Sequence, residues 1–201
     1  MDRIHRIKII DKEQKKIAFI ETSRLMFRIW METDLDLARG LWSDPQVTKF
    51  ISANGVFSEV EIRGRLKLEI ENETKYGVQY WPVFLKTDQT HVGCCGLRPY
   101  DLAGKIYEIG FHIRSAYWGR GLASEAALGV MEYAFKVLKA SGLFAGHNPQ
   151  NTASRHLLQK LGFQYTHDEY YAPTGLQHPS YLLMTDQCHA RKICNAGINK
   201  D

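Results

Sequence analysis

IYEIGFHIRSAYWGRGLASEAALGVMEYAFKVL, residues 106–138, reads as a strand, a tight turn and a long helix. Tyr107, Ile109, Phe111 and Ile113 alternate with Glu108, Gly110 and His112, the period-two pattern of a half-buried strand. Beyond the turn, Leu122, Ala126, Val130, Tyr133, Ala134 and Val137 recur at helical spacing. Between them lies Trp118-Gly119-Arg120-Gly121-Leu122-Ala123-Ser124. The first N–H groups of a helix have no internal acceptor and sit at the positive end of its dipole. Glycines let a phosphate approach those groups, so the turn is a candidate anion cradle. Glycine turns also occur where a chain only packs tightly, and the pattern alone leaves both uses open.

Upstream, residues 25–30 read as a first strand. Thr33 can cap a helix that runs to about Trp42, where Asp44-Pro45 ends it. Ser58 and Glu61 form a capping box for a second helix through about Lys75. Residues 81–86 and 91–97 are two strands of a hairpin. Downstream, residues 143–147 form a strand, Asn151 caps a helix that Gly162 terminates, and residues 163–170 and 178–184 make a last hairpin around Pro173-Thr174-Gly175. A short strand over residues 4–10 is also expected. The order predicts an α/β (α+β) fold with a mixed, largely antiparallel sheet flanked by helices.

Residues 1–18 carry six Lys/Arg against three Asp/Glu, and residues 186–201 three against two. The segment 19–185 holds seventeen of each. We therefore expect an N-terminal extension (1–18), one domain (19–185) and a surface tail (186–201). A neutral body argues against nucleic acid as a partner, which usually leaves a basic footprint. No apolar run approaches a membrane span, and the first sixteen residues lack the apolar core of a secretory signal. Cys94, Cys95, Cys188 and Cys194 are too few for a disulfide framework, which favours a cytoplasmic setting. Cys188-His189 and Cys194 fall short of a structural metal set, so no metal is expected.

A second segment sharpens the reading of the glycine turn. Gly146-His147-Asn148-Pro149-Gln150-Asn151-Thr152-Ala153-Ser154 precedes a short helix ending Lys160-Leu161-Gly162-Phe163. Together with the turn, this resembles the GNAT superfamily of acyl-CoA-dependent N-acetyltransferases, and most of all its ribosomal-protein N-terminal acetyltransferase branch. Gly121 and Ala123 fill the last two fixed places of the family's pyrophosphate loop, while Trp118 stands where Gln or Arg is usual. Asn151, Ser154 and the Lys160–Phe163 run match a second motif, and residues 21–28 are similar to the branch's opening strand. The resemblance implies a strand pair, at 107–113 and 143–147, that splays to admit the thioester arm. It places acetyl-CoA against Phe111, His112, Ile113 and Arg114, then Trp118 to Ser124 (Trp118, Gly119, Arg120, Gly121, Leu122, Ala123, Ser124), and Asn151 and Ser154. It implies an amine acceptor walled by residues 33–76, with Trp42, Phe50 and Phe57 as substrate contacts or plain core. It leaves a homodimer open.

Acetyl transfer needs a neutral amine, donors for the developing oxyanion, and a proton for the leaving thiolate. Glu108 is the first candidate base, acting through a water, and His147 the second; His112 shares a face with Glu108. The tyrosine that many relatives use as acid is replaced by Leu158, which turns attention to Ser154. Each has a structural alternative: an orienting carboxylate, a scaffold histidine, a helix-start serine. The expected activity is direct transfer from acetyl-CoA to a primary amine, of a protein N-terminus or a small molecule. A catalytically idle acyl-CoA-binding module and a nucleotide-binding protein are the rivals.

Overall fold

The computed structural model describes residues 18–190. Eight strands form one sheet: β1 (Ile20–Glu21), β2 (Leu25–Phe27), β3 (Tyr80–Leu85), β4 (His91–Asp101), β5 (Ile106–Ile113), β6 (Gly142–Gly146), β7 (Gln164–Tyr171) and β8 (Leu176–Met184). Their order is β1-β2-β3-β4-β5-β6-β8-β7. Every neighbouring pair is antiparallel except β5 and β6. The helices are α1 (Leu35–Trp42), α2 (Pro45–Thr48), α3 (Glu59–Tyr76), α4 (Leu122–Lys136), α5 (Thr152–Lys160) and α6 (Thr185–Ala190).

Two apolar cores lie on the two faces of the sheet. One gathers Leu122, Ala126, Val130 and Ala134 of α4 and Leu158 of α5 against Trp81, Cys95, Leu97 and Ile109. The other gathers Leu41 and Trp42 of α1 and Ile62 and Leu66 of α3 against Trp30, Tyr80 and Cys94. Adjacent Cys94 and Cys95 thus point to opposite faces, as neighbours on a strand must. Glu125, a polar position in the first turn of α4, is buried because it ties that helix to the sheet edge. Its carboxylate accepts from Thr22 Oγ1 at 2.6 Å, the Arg24 N–H at 2.7 Å and Arg24 Nε at 2.6 Å.

The Ser58–Glu61 capping box forms at the start of α3 as read from the sequence. Thr33 does not cap α1. A 3₁₀ turn over Glu32–Asp34 precedes that helix, and the Asp34 carboxylate takes the Met31 N–H at 2.8 Å and Arg28 Nη1 at 2.6 Å. Asp44-Pro45 does end α1, but it also starts α2, with the Asp44 side chain accepting the Gln46 N–H. The chain continues past 185 as α6, with Cys188 buried in the first core, and the rest of the expected tail, 191–201, lies outside the described residues. Cys188 is disulfide-bonded, whereas Cys94 and Cys95 are free. The strand expected at 4–10 lies outside the described residues. No helix among the described residues is long and apolar enough to cross a membrane.

Candidate active site

The decisive break in the sheet is between β5 and β6. β5 pairs with β4 from Ile106 to Ile113, but with β6 only at Ile106–Gly142, Tyr107–Leu143 and Glu108–Phe144. β6 pairs with β8 along its whole length, so beyond Phe144 it stays with β8 through Ala145 and Gly146. The two parallel strands therefore part immediately after Glu108. The Arg114 N–H bonds the Val92 carbonyl on the β4 side at 2.9 Å. Direction alternates along an antiparallel ladder, so the backbone groups of Ile109, Phe111 and Ile113 face the opening. Trp118 Nε1 donates to the Ile113 carbonyl at 2.7 Å. The Phe111 amide and carbonyl and the Ile113 N–H are left for a guest.

A cavity of about 700 Å³ fills this gap. One end is the glycine turn. Gly119 and Gly121 both adopt φ +74°, the left-handed region in which a β-branched side chain is strained. Gly121 is the N-cap of α4 and no side chain caps that end, so the first N–H groups of the helix stay open. Arg24 Nη1 donates to the Arg120 carbonyl at 2.9 Å and braces the turn from outside. Trp118, Gly119, Gly121, Leu122, Ala123 and Ser124 line the cavity; Phe111, His112 and Ile113 line its strand wall. Arg114 and Arg120 do not reach it. Arg114 Nη1 bonds the His91 carbonyl at 3.2 Å, and the Arg120 guanidinium centre lies over the Tyr117 ring, 5.1 Å from its centroid.

Across the gap, Asn151 caps α5 by accepting the Ser154 N–H at 3.1 Å, and both residues line the cavity. The Ser154 hydroxyl has no hydrogen-bond partner among the described residues. Leu158 is buried behind it. His147 is buried beside Tyr181, and its Nδ1 lies 2.8 Å from the Asn148 carbonyl. A carbonyl only accepts, so Nδ1 carries the proton and the unpartnered Nε2 is left basic. Burial holds this imidazole neutral by pushing its pKa below the usual value.

The other end of the cavity is built around Glu108. Tyr80 Oη donates to its Oε1 at 2.8 Å. Burial and the Glu108 charge push the Tyr80 phenol well above its ordinary pKa, so it remains a donor. Its ring crosses β5 at Gly110, where a Cβ would stand 2.2 Å from Cζ. Arg98, the cross-strand neighbour of Glu108, stacks 4.3 Å from the Tyr80 centroid and is paired with Glu69 of α3. Glu69 also accepts the Tyr80 N–H at 2.8 Å. His112 shares this side, with Trp42 Nε1 donating to its Nδ1 at 3.3 Å. Burial, then the charges of Arg65 and Arg98, hold it neutral. Phe50 lines the cavity, whereas Trp42 and Phe57 sit behind its wall. Sequence reading missed Tyr80, Arg98 and Arg65. Only Gly110, a glycine inside an alternating strand, hinted that something lies across it.

The sequence matches the acetyltransferase (GNAT) domain family over residues 24–164. It is 29% identical over 143 residues to the uncharacterized N-acetyltransferase p20 of Bacillus licheniformis, covering 71% of this chain and 80% of that one. The fold matches the crystal structure of a GNAT-family acetyltransferase from Bacillus anthracis with a TM-score of 0.70 and 26% identity, over 83% of this chain and 98% of that one. It also matches RimL, a ribosomal L7/L12 α-N-protein acetyltransferase in complex with coenzyme A, with a TM-score of 0.69 over 83% of this chain and 97% of that one. At 16% identity, the second structural likeness is one of fold.

Proposed function

The chain belongs to the GNAT acetyltransferase family, and on that premise we propose that its cleft takes acetyl-CoA and passes the acetyl group directly to a primary amine. The family transfers acetyl groups from acetyl-CoA. The observation that carries the reading for this chain is the parting of β5 and β6 after Glu108, which leaves strand amides open beside an uncapped helix N-terminus. In this reading the α4 N-terminus and the Gly119–Gly121 turn hold the pyrophosphate. The Phe111 and Ile113 amides bind the pantetheine arm, with the Asn151 side chain on the opposite wall.

Glu108 takes the proton of the attacking amine, directly or through a water. The Tyr80 hydroxyl fixes one of its oxygens and leaves the other for the substrate. As the amine nitrogen bonds the thioester carbon, charge builds on the carbonyl oxygen, and the strand amides are the donors placed to meet it. The C–S bond then breaks and the sulfur takes a proton from the Ser154 hydroxyl, which is in turn reprotonated by solvent. His147 Nε2 is the second group able to accept a proton. The acceptor is a small amine or a protein N-terminus. Thiol release from acetyl-CoA, screened over N-terminal peptides, aminoglycosides, polyamines and small amino compounds, tests the proposal. Amine-dependent release supports it, and release no faster than in the absence of amine, by protein that binds coenzyme A, contradicts it.

A further inference from the structure

The cavity that holds Glu108 also holds a cation with no ion-pair partner among the described residues. Arg65 reaches into it from α3. Its guanidinium centre lies 4.7 Å from the Phe57 ring centroid and 5.5 Å from that of Trp42. Its Nε is buried without a hydrogen-bond partner, and no carboxylate among the described residues is in ion-pair contact with it. Glu69, one helical turn further along α3, is occupied by Arg98 and the Tyr80 N–H. Glu108 receives the Tyr80 hydroxyl, and Glu169 lines the cavity from the exposed strand β7.

A half-buried arginine keeps its charge. Burial and then the neighbouring Arg98 charge act against it and lower its pKa, and the Glu69 charge offsets them only in part. Leaving such a group uncompensated is costly unless a ligand supplies the missing charge. The aromatic faces of Phe57 and Trp42 also hold the guanidinium on a fixed platform. A planar fork held in that way suits an oxyanion with two equivalent oxygens.

We propose that Arg65 is an anion-binding residue of the acceptor site, and that the acceptor is a small primary amine bearing a carboxylate or phosphate. The anionic group meets Arg65, and its amine lies toward Glu108. This rests on the acetyltransfer reading above.

The test is kcat/KM for thiol release from acetyl-CoA with matched acceptor pairs: α-amino acids against their amides, and aminoalkyl phosphates against the corresponding amino alcohols. The two arms separate a carboxylate site from a phosphate site. One anionic series should exceed its neutral partners by about 10- to 100-fold, the range of a charge-assisted hydrogen bond. In Arg65→Ala that ratio should fall toward one, and in Arg65→Lys, which keeps the charge but not the fork, it should lie between. Equal values for both members of every pair in the wild type would overturn the proposal while leaving acetyl transfer in place. No release with any amine, from protein that binds coenzyme A, would overturn the reading beneath it as well.

Discussion

The Cβ that Gly110 lacks would lie 2.2 Å from Tyr80 Cζ and 2.3 Å from its hydroxyl oxygen. Gly110→Ala should therefore push the phenol off Glu108. We expect a loss of about 1–3 kcal/mol in stability, as for other overpacked sites, and at least a tenfold fall in kcat. Thermal melting and steady-state kinetics on the same preparation check this; an unchanged kcat in a folded variant would remove Tyr80 from the site. At this scale the sequence was informative only where one residue implies its own environment. Glu108 was legible because the alternation of its strand puts it on the polar face, two residues from a glycine. Tyr80, 28 residues earlier, and Arg65, on a helix that reads as plain wall, carry no local sign of where their side chains end. Arg114 and Arg120 show that a place in the chain does not fix where a side chain ends. Each sits at an expected cofactor position in the chain, yet backbone carbonyls or an aromatic face draw its side chain elsewhere.

Among the elements, α4 and the turn before it carry the most physical tension. Gly121 must adopt a left-handed φ and expose its amide, and Glu125 must fix the first helical turn to Thr22 and Arg24. Gly121→Val should weaken coenzyme A binding by tenfold or more, because valine is strained at positive φ and shields the N–H groups. Calorimetry on the folded variant checks it, and unchanged affinity would contradict the loop's assignment. The strand–turn–helix itself was readable, because period two gives way to period 3.6 across two glycines. The splay was not readable from periodicity, since β6 is apolar on both faces whether or not it pairs with β5. The resemblance to a family supplied that expectation, and the three-residue register of β5 with β6 now describes it. The short starts of α1 and α2 were misread because Asp34 and Asp44, rather than Thr33, organise the local hydrogen bonds.

For the molecule as a whole, His91 links stability to pH. It lies in the interior between Trp30 and Phe84, and neither ring nitrogen is hydrogen-bonded. Burial, and then the Arg114 charge, lower its pKa from 6.5 to about 4. The unfolded chain thus binds this proton first as pH falls. Stability should be full above pH 6.5, fall between 6.5 and 4, and lose no more to this group below 4. The loss is on the order of 3 kcal/mol at 1.36 kcal/mol per pKa unit. His91→Leu should flatten that slope in denaturant titrations, and a slope equal to that of the wild type would refute the assignment. The proposed chemistry turns on Glu108, at the point where the sheet opens. It is tested most directly by the pH dependence of acetyl-CoA thiol release, with one competent amine, in wild type and Glu108→Gln. Glu108→Gln should bind coenzyme A normally, turn over more slowly by about 10²- to 10⁴-fold, and lose the acid limb of the wild-type profile. A raised acceptor KM with the acid limb retained would make Glu108 an orienting group only. Unchanged kcat, KM and acid limb would contradict the claim and pass the proton to His147.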